Sequence, residues 1–89
     1  MYYTYVLLCD GKNIDSDLYV GFTNDLRQRI STHKAKCVET TKKFDNIKLV
    51  YYEACSNKKD ARKRELQLKT GFGRGYLKRR LGNYFADIV

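Results

Sequence analysis

The chain has 89 residues, of which 43% are hydrophobic and 31% are charged. This size allows one domain, and the composition excludes an intrinsically disordered protein. Lys and Arg number 18 against 10 Asp and Glu, a formal net charge of +8. There is no apolar run of membrane-span length and no secretory signal at the start. We therefore expect one cytoplasmic domain over residues 1–89, without a membrane partner.

Two strands are the first elements predicted. Residues 2–8 (YYTYVLL) and 18–22 (LYVGF) are rich in the aromatic and β-branched residues that favour extended structure. Residues 10–17 (DGKNIDSD) contain turn-forming residues throughout, and Asp10-Gly11 is the strongest of these signals. The pattern predicts an antiparallel hairpin with a long loop.

A helix, an irregular segment and a third strand follow. Thr23 or Asn24 can cap the helix, and apolar residues recur at helical spacing until the pattern fades near Lys36. The segment 37–46 is polar and is predicted to be irregular. Residues 47–54 (IKLVYYEA) again favour a strand.

The last third of the chain predicts helices. Ser56 or Asn57 can cap a helix that runs to about Thr70, where three glycines in GFGRG (71–75) are expected to stop it. Residues 76–81 predict a short last helix, followed by a tail. The fold class is therefore α+β, with a three-stranded sheet, flanking helices and the order β-β-α-β-α-α.

Three cysteines fit a reducing compartment, because their number is odd and their spacing matches no metal or redox motif. Cys9 and Cys55 lie in strand-like runs and are expected to be small buried apolar residues.

Two tyrosines and a glycine are the first candidate site residues. Tyr5 and Tyr19 lie on neighbouring strands of the predicted hairpin, so their phenols can approach each other. Gly21 interrupts a β-branched and aromatic strand, which often marks a bulge or a close backbone approach. Tyrosine is also an ordinary strand residue, so packing alone explains the same pattern.

The first helix adds a cation and a titratable group. Arg29 and His33 are four residues apart, so they share one helix face and could contact a phosphate. A partly exposed helix face with a bystander histidine is the alternative.

Glu65 is the most informative acid. Its helical neighbours Ala61 and Leu68 place it on an apolar face, where a carboxylate is costly unless it is paired or binds a cation. It could anchor Mg²⁺, which needs few protein ligands in phosphoryl chemistry. An ion pair with Arg62 or Lys69 is the alternative.

The positive charge is concentrated near the end of the chain. Residues 1–56 carry 8 basic and 7 acidic side chains, whereas residues 57–89 carry 10 and 3. Basic and aromatic residues alternate through GFGRGYLKRR, which favours a phosphate-backbone contact of nucleic acid over a merely solvated helix face. A simple helix–helix turn is the alternative for this segment. The candidate phosphate contacts are Arg27, Lys34, Lys69, Arg74, Lys78 and Arg79.

Together these motifs resemble the GIY-YIG nuclease family. The first half-motif is present as Tyr3-Thr4-Tyr5 and the second as Tyr19-Val20-Gly21, with Arg29 ten residues and His33 fourteen residues after Tyr19. DARKRELQLKTG places Glu65 where the family has its metal-binding glutamate. The resemblance is to the stand-alone bacterial members, similar to the endonuclease domain of the excision-repair incision subunit. The first half-motif lacks its glycine here, and Asn83 is the candidate for the family's late asparagine.

The resemblance implies hydrolysis of a DNA phosphodiester, directed by DNA structure more than by sequence. Glu65 would hold one Mg²⁺ or Mn²⁺, and Arg29 would stabilise negative charge on the phosphate. Tyr5 would deprotonate or orient the attacking water, with Tyr19 hydrogen-bonded nearby and His33 as a proton relay. The substrate would be branched or damaged DNA, as in DNA repair.

Other functions remain open at this point. The same fold could be a catalytically weak or inactive nucleic-acid-binding module, or a purely structural domain. RNA is also compatible with phosphate contacts, and a protein partner could supply specificity.

Overall fold

A three-stranded antiparallel sheet forms the centre of the fold in the computed structural model, which describes residues 1–88. The strands are β1 (Tyr2–Gly11), β2 (Ile14–Thr23) and β3 (Asn46–Cys55), in the spatial order β2-β1-β3. The central strand β1 is therefore hydrogen-bonded on both sides, and β2 and β3 are the edges. The predicted α+β fold class is confirmed.

Helices cover both faces of this sheet. One helix follows β2 and the others follow β3, in the order predicted, with one further short helix in the tail. They are α1 (Leu26–Lys34), α2 (Lys58–Leu68), α3 (Gly71–Arg80) and α4 (Gly82–Asp87). Asn57 caps α2 as predicted, because its side chain accepts a hydrogen bond from the Lys59 amide. No helix within residues 1–88 is long and apolar enough to cross a membrane.

The two faces of the sheet have separate cores, because side chains alternate along each strand. Tyr5, Leu7 and Cys9 of β1 point toward α1 and the segment after it, where they are fully buried. Val6 points to the other face and packs with side chains of α2 and α3, among them Leu68. Cys9 is buried as predicted, whereas Cys55 is only partly buried because it ends the edge strand β3.

The hairpin between β1 and β2 is tight, so the predicted long loop is wrong. Gly11 pairs with Ile14, which leaves only Lys12 and Asn13 in the turn. Asn13 adopts the left-handed conformation (φ 60°), which asparagine tolerates better than most residues. The polar residues before Leu18 lie on an edge strand, where exposed charge also discourages pairing with other chains.

The cap of α1 also differs from the prediction. Asp25, not Thr23 or Asn24, caps the helix, and its Oδ1 accepts a hydrogen bond from the Gln28 amide at 3.1 Å. Thr23 Oγ1 instead accepts a hydrogen bond from the Asp25 amide at 3.0 Å. Thr23 therefore shapes the turn that leads into the helix.

The glycine-rich segment was expected to interrupt helical structure, but it forms the beginning of α3. The actual break is earlier, at Lys69 and Thr70, and Thr70 caps α3 through the Gly73 amide. The last long helix therefore spans Gly71–Arg80 and not only residues 76–81. Gly73 allows α3 to begin directly against the end of α2, because a Cβ there would lie 2.2 Å from the Leu68 carbonyl oxygen.

Candidate active site

Tyr5 is the centre of the candidate site. It lies in the middle of the central strand, and its side chain is fully buried on the α1 face of the sheet. Its hydroxyl lies 2.8 Å from His33 Nε2 and accepts a hydrogen bond from Arg29 Nε at 3.2 Å. The two α1 residues selected from their spacing therefore meet at one phenol oxygen.

Gly21 makes room for this phenol. It is the β2 partner of Tyr5, and a Cβ at this position would lie 2.3 Å from both Cζ and the hydroxyl oxygen of Tyr5. Only a residue without a side chain allows the ring to cross the neighbouring strand. The close backbone approach expected at this glycine is therefore the approach of Tyr5.

Tyr19 completes an aromatic cluster with Tyr5 and His33. Its ring centroid is 6.2 Å from that of Tyr5 and 5.0 Å from that of His33. The Tyr19 side chain is only partly buried, as is that of Arg29. The cluster therefore has a buried side at His33 and an accessible side at Tyr19 and Arg29.

Burial and charge hold this cluster in defined protonation states. Burial raises the pKa of Tyr5 to about 12, against an opposing hydrogen bond from Arg29, so the phenol is protonated at neutral pH. Burial, followed by the Arg29 charge, lowers the pKa of His33 to about 4, so the imidazole is neutral. The hydrogen bond to Tyr5 raises the pKa of Arg29, which remains a cation.

Sequence reasoning missed Thr41, which contacts His33 from behind. Thr41 Oγ1 lies 2.8 Å from His33 Nδ1, and the threonine is fully buried. It belongs to the polar segment 37–46, in which nothing distinguishes it from its exposed neighbour Thr40. The sequence signal that this segment folds back onto the core is its apolar residues Val38 and Phe44, both of which are buried.

Glu65 lies on α2 and therefore on the opposite face of the sheet from Tyr5. Its carboxylate is 9% exposed and forms ion pairs with Arg62 (3.2 Å) and Lys69 (3.1 Å). Arg62 also stacks over Phe22, the residue after Gly21, at 5.2 Å. The Glu65 ion-pair group thus reaches the edge strand β2, where the two faces of the sheet meet.

The Glu65 carboxylate suits a divalent cation that keeps most of its bound water molecules. Within residues 1–88 no three His, Cys, Asp or Glu side chains lie close enough together to hold a metal ion, so a cation at Glu65 would have few protein ligands. Mg²⁺ binds in this way when substrate phosphate and water supply the remaining oxygens. Arg62 and Lys69 are about half exposed (59% and 48%), so both can turn away from the carboxylate.

The six candidate phosphate contacts divide between the two faces. Arg27 and Lys34 border an open groove on the α1 face. Lys69, Arg74 and Lys78 border an open groove of about 750 Å³ on the other face. Arg79 is exposed on α3 and borders neither groove.

Comparison with known proteins identifies the family. The sequence model of the GIY-YIG catalytic domain matches residues 1–77, which include the Tyr5 cluster and Glu65. The chain belongs to the GIY-YIG family. It is 40% identical to a UPF0213 protein of Clostridium perfringens over 78% of this chain and 71% of the relative. Identity is 39% to one of Staphylococcus haemolyticus (78% and 80%) and 37% to one of Bacillus pumilus (78% and 67%).

No solved structure matches the chain. The GIY-YIG match ends before Asn83, the candidate for the family's late asparagine. Asn83 is exposed on α4. This position therefore lies apart from the hydrogen-bonded cluster around Tyr5.

Proposed function

We propose that the chain is a divalent-metal-dependent endonuclease that hydrolyses DNA phosphodiester bonds, leaving 5′-phosphate and 3′-hydroxyl ends. One observation carries the proposal: the Tyr5 hydroxyl lies between a cationic Arg29 and a neutral His33, beside the accessible Tyr19. Membership in the GIY-YIG family, whose domains are nuclease domains, gives this arrangement its reaction class. DNA of branched or damaged structure is the proposed substrate.

The residues divide the chemistry as follows. The Tyr5 oxygen accepts a proton from the attacking water while its own proton moves to His33 Nε2. The bond from phosphorus to the 3′-oxygen breaks, and that oxygen takes the proton which Nε2 returns through Tyr5. A bound phosphate raises the pKa of His33 through its negative charge and so favours this transfer. Arg29 stabilises the charge on the phosphate, and the Tyr19 hydroxyl is available to orient it.

Glu65 would hold the cation, Mg²⁺ or Mn²⁺, which when bound polarises a phosphate oxygen. The scissile phosphate would then lie at the β2 edge, between Glu65 on one face and Arg29 on the other. The basic residues of both grooves would contact the flanking backbone of the DNA.

Cleavage assays with matched variants test this function. Purified protein is incubated with branched, nicked and single-stranded DNA, and with RNA, in the presence of Mg²⁺ or Mn²⁺. Arg29→Ala and Glu65→Gln are expected to lower the cleavage rate by at least about 100-fold. Gln28→Ala and Asp60→Asn change exposed neighbours on the same helices and are expected to leave it unchanged. Equal rates in all four variants would show that the assigned site is wrong.

A second candidate function is a nucleic-acid-binding module with little or no catalysis. It is favoured by the two ion pairs of Glu65, which neutralise the carboxylate that the nuclease needs for its metal. DNA binding without cleavage by the unaltered protein, in either metal and on every substrate, would establish this alternative.

A further inference from the structure

The buried end of the Tyr5 hydrogen-bond chain is Thr41. Its hydroxyl is the partner of His33 Nδ1, and neither side chain has any exposed surface. Solvent therefore cannot replace this hydrogen bond if the threonine is changed. Removing it would leave a buried imidazole nitrogen without a partner, which is costly.

The donor and acceptor in each hydrogen bond of Tyr5 and His33 can be assigned from the hydrogens that the groups carry. Arg29 Nε can only donate, so the Tyr5 oxygen is the acceptor there. Tyr5 has one hydroxyl hydrogen, and within residues 1–88 its other partner is His33 Nε2. Because Tyr5 is fully buried, its hydrogen has no water to bind, and the arrangement that gives it an acceptor has Tyr5 donating to an Nε2 without hydrogen. A neutral imidazole then has its hydrogen on Nδ1, which donates to Thr41.

The segment that carries Thr41 is tied firmly in place. Lys36, in the left-handed conformation, donates hydrogen bonds from Nζ to the carbonyls of Phe44 and Asp45. The Thr41 amide donates to the Val38 carbonyl at 3.1 Å, and the Phe44 amide donates to the Thr41 carbonyl at 3.1 Å. Val38 and Phe44 are both buried, so the segment presents Thr41 to the ring at a fixed position.

We propose that Thr41 is a positioning residue for the reaction: it keeps the hydrogen of His33 on Nδ1, so that Nε2 is free to accept the Tyr5 proton. The catalytic consequence rests on the nuclease function proposed above. The proton leaves the Tyr5 oxygen and binds Nε2, and the imidazolium keeps its Nδ1 hydrogen bond to Thr41. The water proton restores the phenol, and the bond from phosphorus to the 3′-oxygen breaks. Nε2 then returns its proton to the Tyr5 oxygen, and the phenol proton passes to the 3′-oxygen, which leaves as a hydroxyl.

The protonation site of His33 can be measured directly, because it is the only histidine in the chain. In ¹⁵N NMR spectra at neutral pH, we expect a protonated Nδ1 and a bare Nε2 in the unaltered protein and in Thr41→Ser. Thr41→Val has no acceptor for Nδ1–H and is expected to move the hydrogen to Nε2. Thr40→Val, the exposed neighbouring control, is expected to behave as the unaltered protein.

Two spectroscopic results would overturn the proposal. One is a protonated Nε2 in the unaltered protein or in Thr41→Ser. The other is a Thr41→Val variant that keeps its hydrogen on Nδ1. If Thr41→Val does not fold, as judged by circular dichroism, the first result remains decisive.

Cleavage rates test the catalytic consequence. Thr41→Val is expected to slow cleavage by about 10–100-fold, the usual loss when a partner that orients a functional histidine is removed. Thr41→Ser should recover to within about threefold, and Thr40→Val should match the unaltered protein. A folded Thr41→Val that cleaves at the unaltered rate contradicts the positioning role. An unaltered protein that cleaves no DNA contradicts the nuclease function instead, while the NMR result still tests the role of Thr41.

Discussion

At the scale of single residues, the candidate site depends on a glycine without a side chain as much as on the side chains around it. Tyr5 lies across β2 only because Gly21 has no Cβ. Once the ring is there, burial and two α1 residues fix both its position and its protonation state. The spacing of Arg29 and His33 predicted their shared face correctly. Their common contact with one phenol depends on the sheet.

Substitution of Gly21 by Ala is expected to displace the Tyr5 ring. The new methyl group would lie 2.3 Å from the phenol, and overpacking of this kind costs about 1–3 kcal/mol of the free energy of unfolding. A shift of about 1 Å in the phenol would lower cleavage about 100-fold. Urea unfolding and the cleavage assay measure the two effects. Gly82→Ala, which has no atom within 4 Å of its new Cβ, should be neutral or slightly stabilising.

His33 is expected to make stability depend on pH. Its pKa is about 4 in the folded protein and near 6.5 in the unfolded chain, so the unfolded chain binds more protons between these values. The free energy of unfolding should therefore fall as the pH drops from 6.5 to 4, by up to about 3 kcal/mol from this residue. Urea unfolding at pH 7, 5.5 and 4 measures the effect, and the difference from His33→Gln isolates it. A variant with the same pH dependence as the unaltered protein would contradict a neutral buried histidine.

At the scale of elements, close backbone packing holds α2 against α3, and a charged cluster adds to the apolar core that holds both helices on the sheet. Gly73 brings the start of α3 against the end of α2 at Leu68. Arg64 binds the Glu53 carboxylate of β3 through both Nε and Nη2, and its guanidinium stacks on Tyr76 of α3 at 4.5 Å. Glu65 takes its position from the same helix.

Gly73→Ala is expected to separate α2 from α3. Its Cβ would meet backbone atoms of Leu68 at 2.2–2.4 Å, and a backbone cannot rotate away as a flexible side chain can. We expect a loss of at least about 2 kcal/mol in the free energy of unfolding. Gly71→Ala in the same helix meets no atom within 4 Å and is the control, expected to be neutral or stabilising. Equal unfolding midpoints for the two variants would contradict this account.

At the scale of the whole molecule, the positive charge is divided over both faces of the sheet. Residues 57–89 supply ten of the 18 basic side chains, on helices that pack on the face opposite Tyr5. Arg27 and Lys34 of α1 add to the other face. A DNA backbone that contacts both sets would pass the β2 edge, where Tyr5 contacts Gly21 on one face and Arg62 stacks over Phe22 on the other.

Binding of DNA is therefore expected to weaken with salt, and Lys78 should contribute to this dependence. Each phosphate contact adds about 0.7–0.9 to the slope of log affinity against log salt. Lys78→Glu should lower the affinity about tenfold and reduce the slope by about one contact. Lys12→Glu makes the same charge change in the hairpin turn, among acidic residues, and should have little effect. Fluorescence titrations at several salt concentrations measure both quantities, and identical slopes for the two variants would exclude Lys78 from the interface.

The three strands, their antiparallel pairing and the principal helices were predictable from the residue pattern, because each has a strong period or cap. The residue pattern also determined the family motifs, since their spacing is a property of the chain. The residue pattern did not predict the tight turn between β1 and β2, in which Asn13 is left-handed. It also did not predict that the glycines of α3 are helical, where packing against Leu68 outweighs their low helix propensity.

Which candidate residues contact one another depends on how the elements pack. The tertiary structure joined Tyr5, Arg29 and His33 through one oxygen, and it added Thr41 from a segment with no recognisable pattern. It also placed Glu65 on the other face of the sheet, with both carboxylate oxygens paired. The physical reason is that spacing along a strand or helix fixes the face on which a residue lies. Contacts between faces, edges and loops depend on how the elements pack.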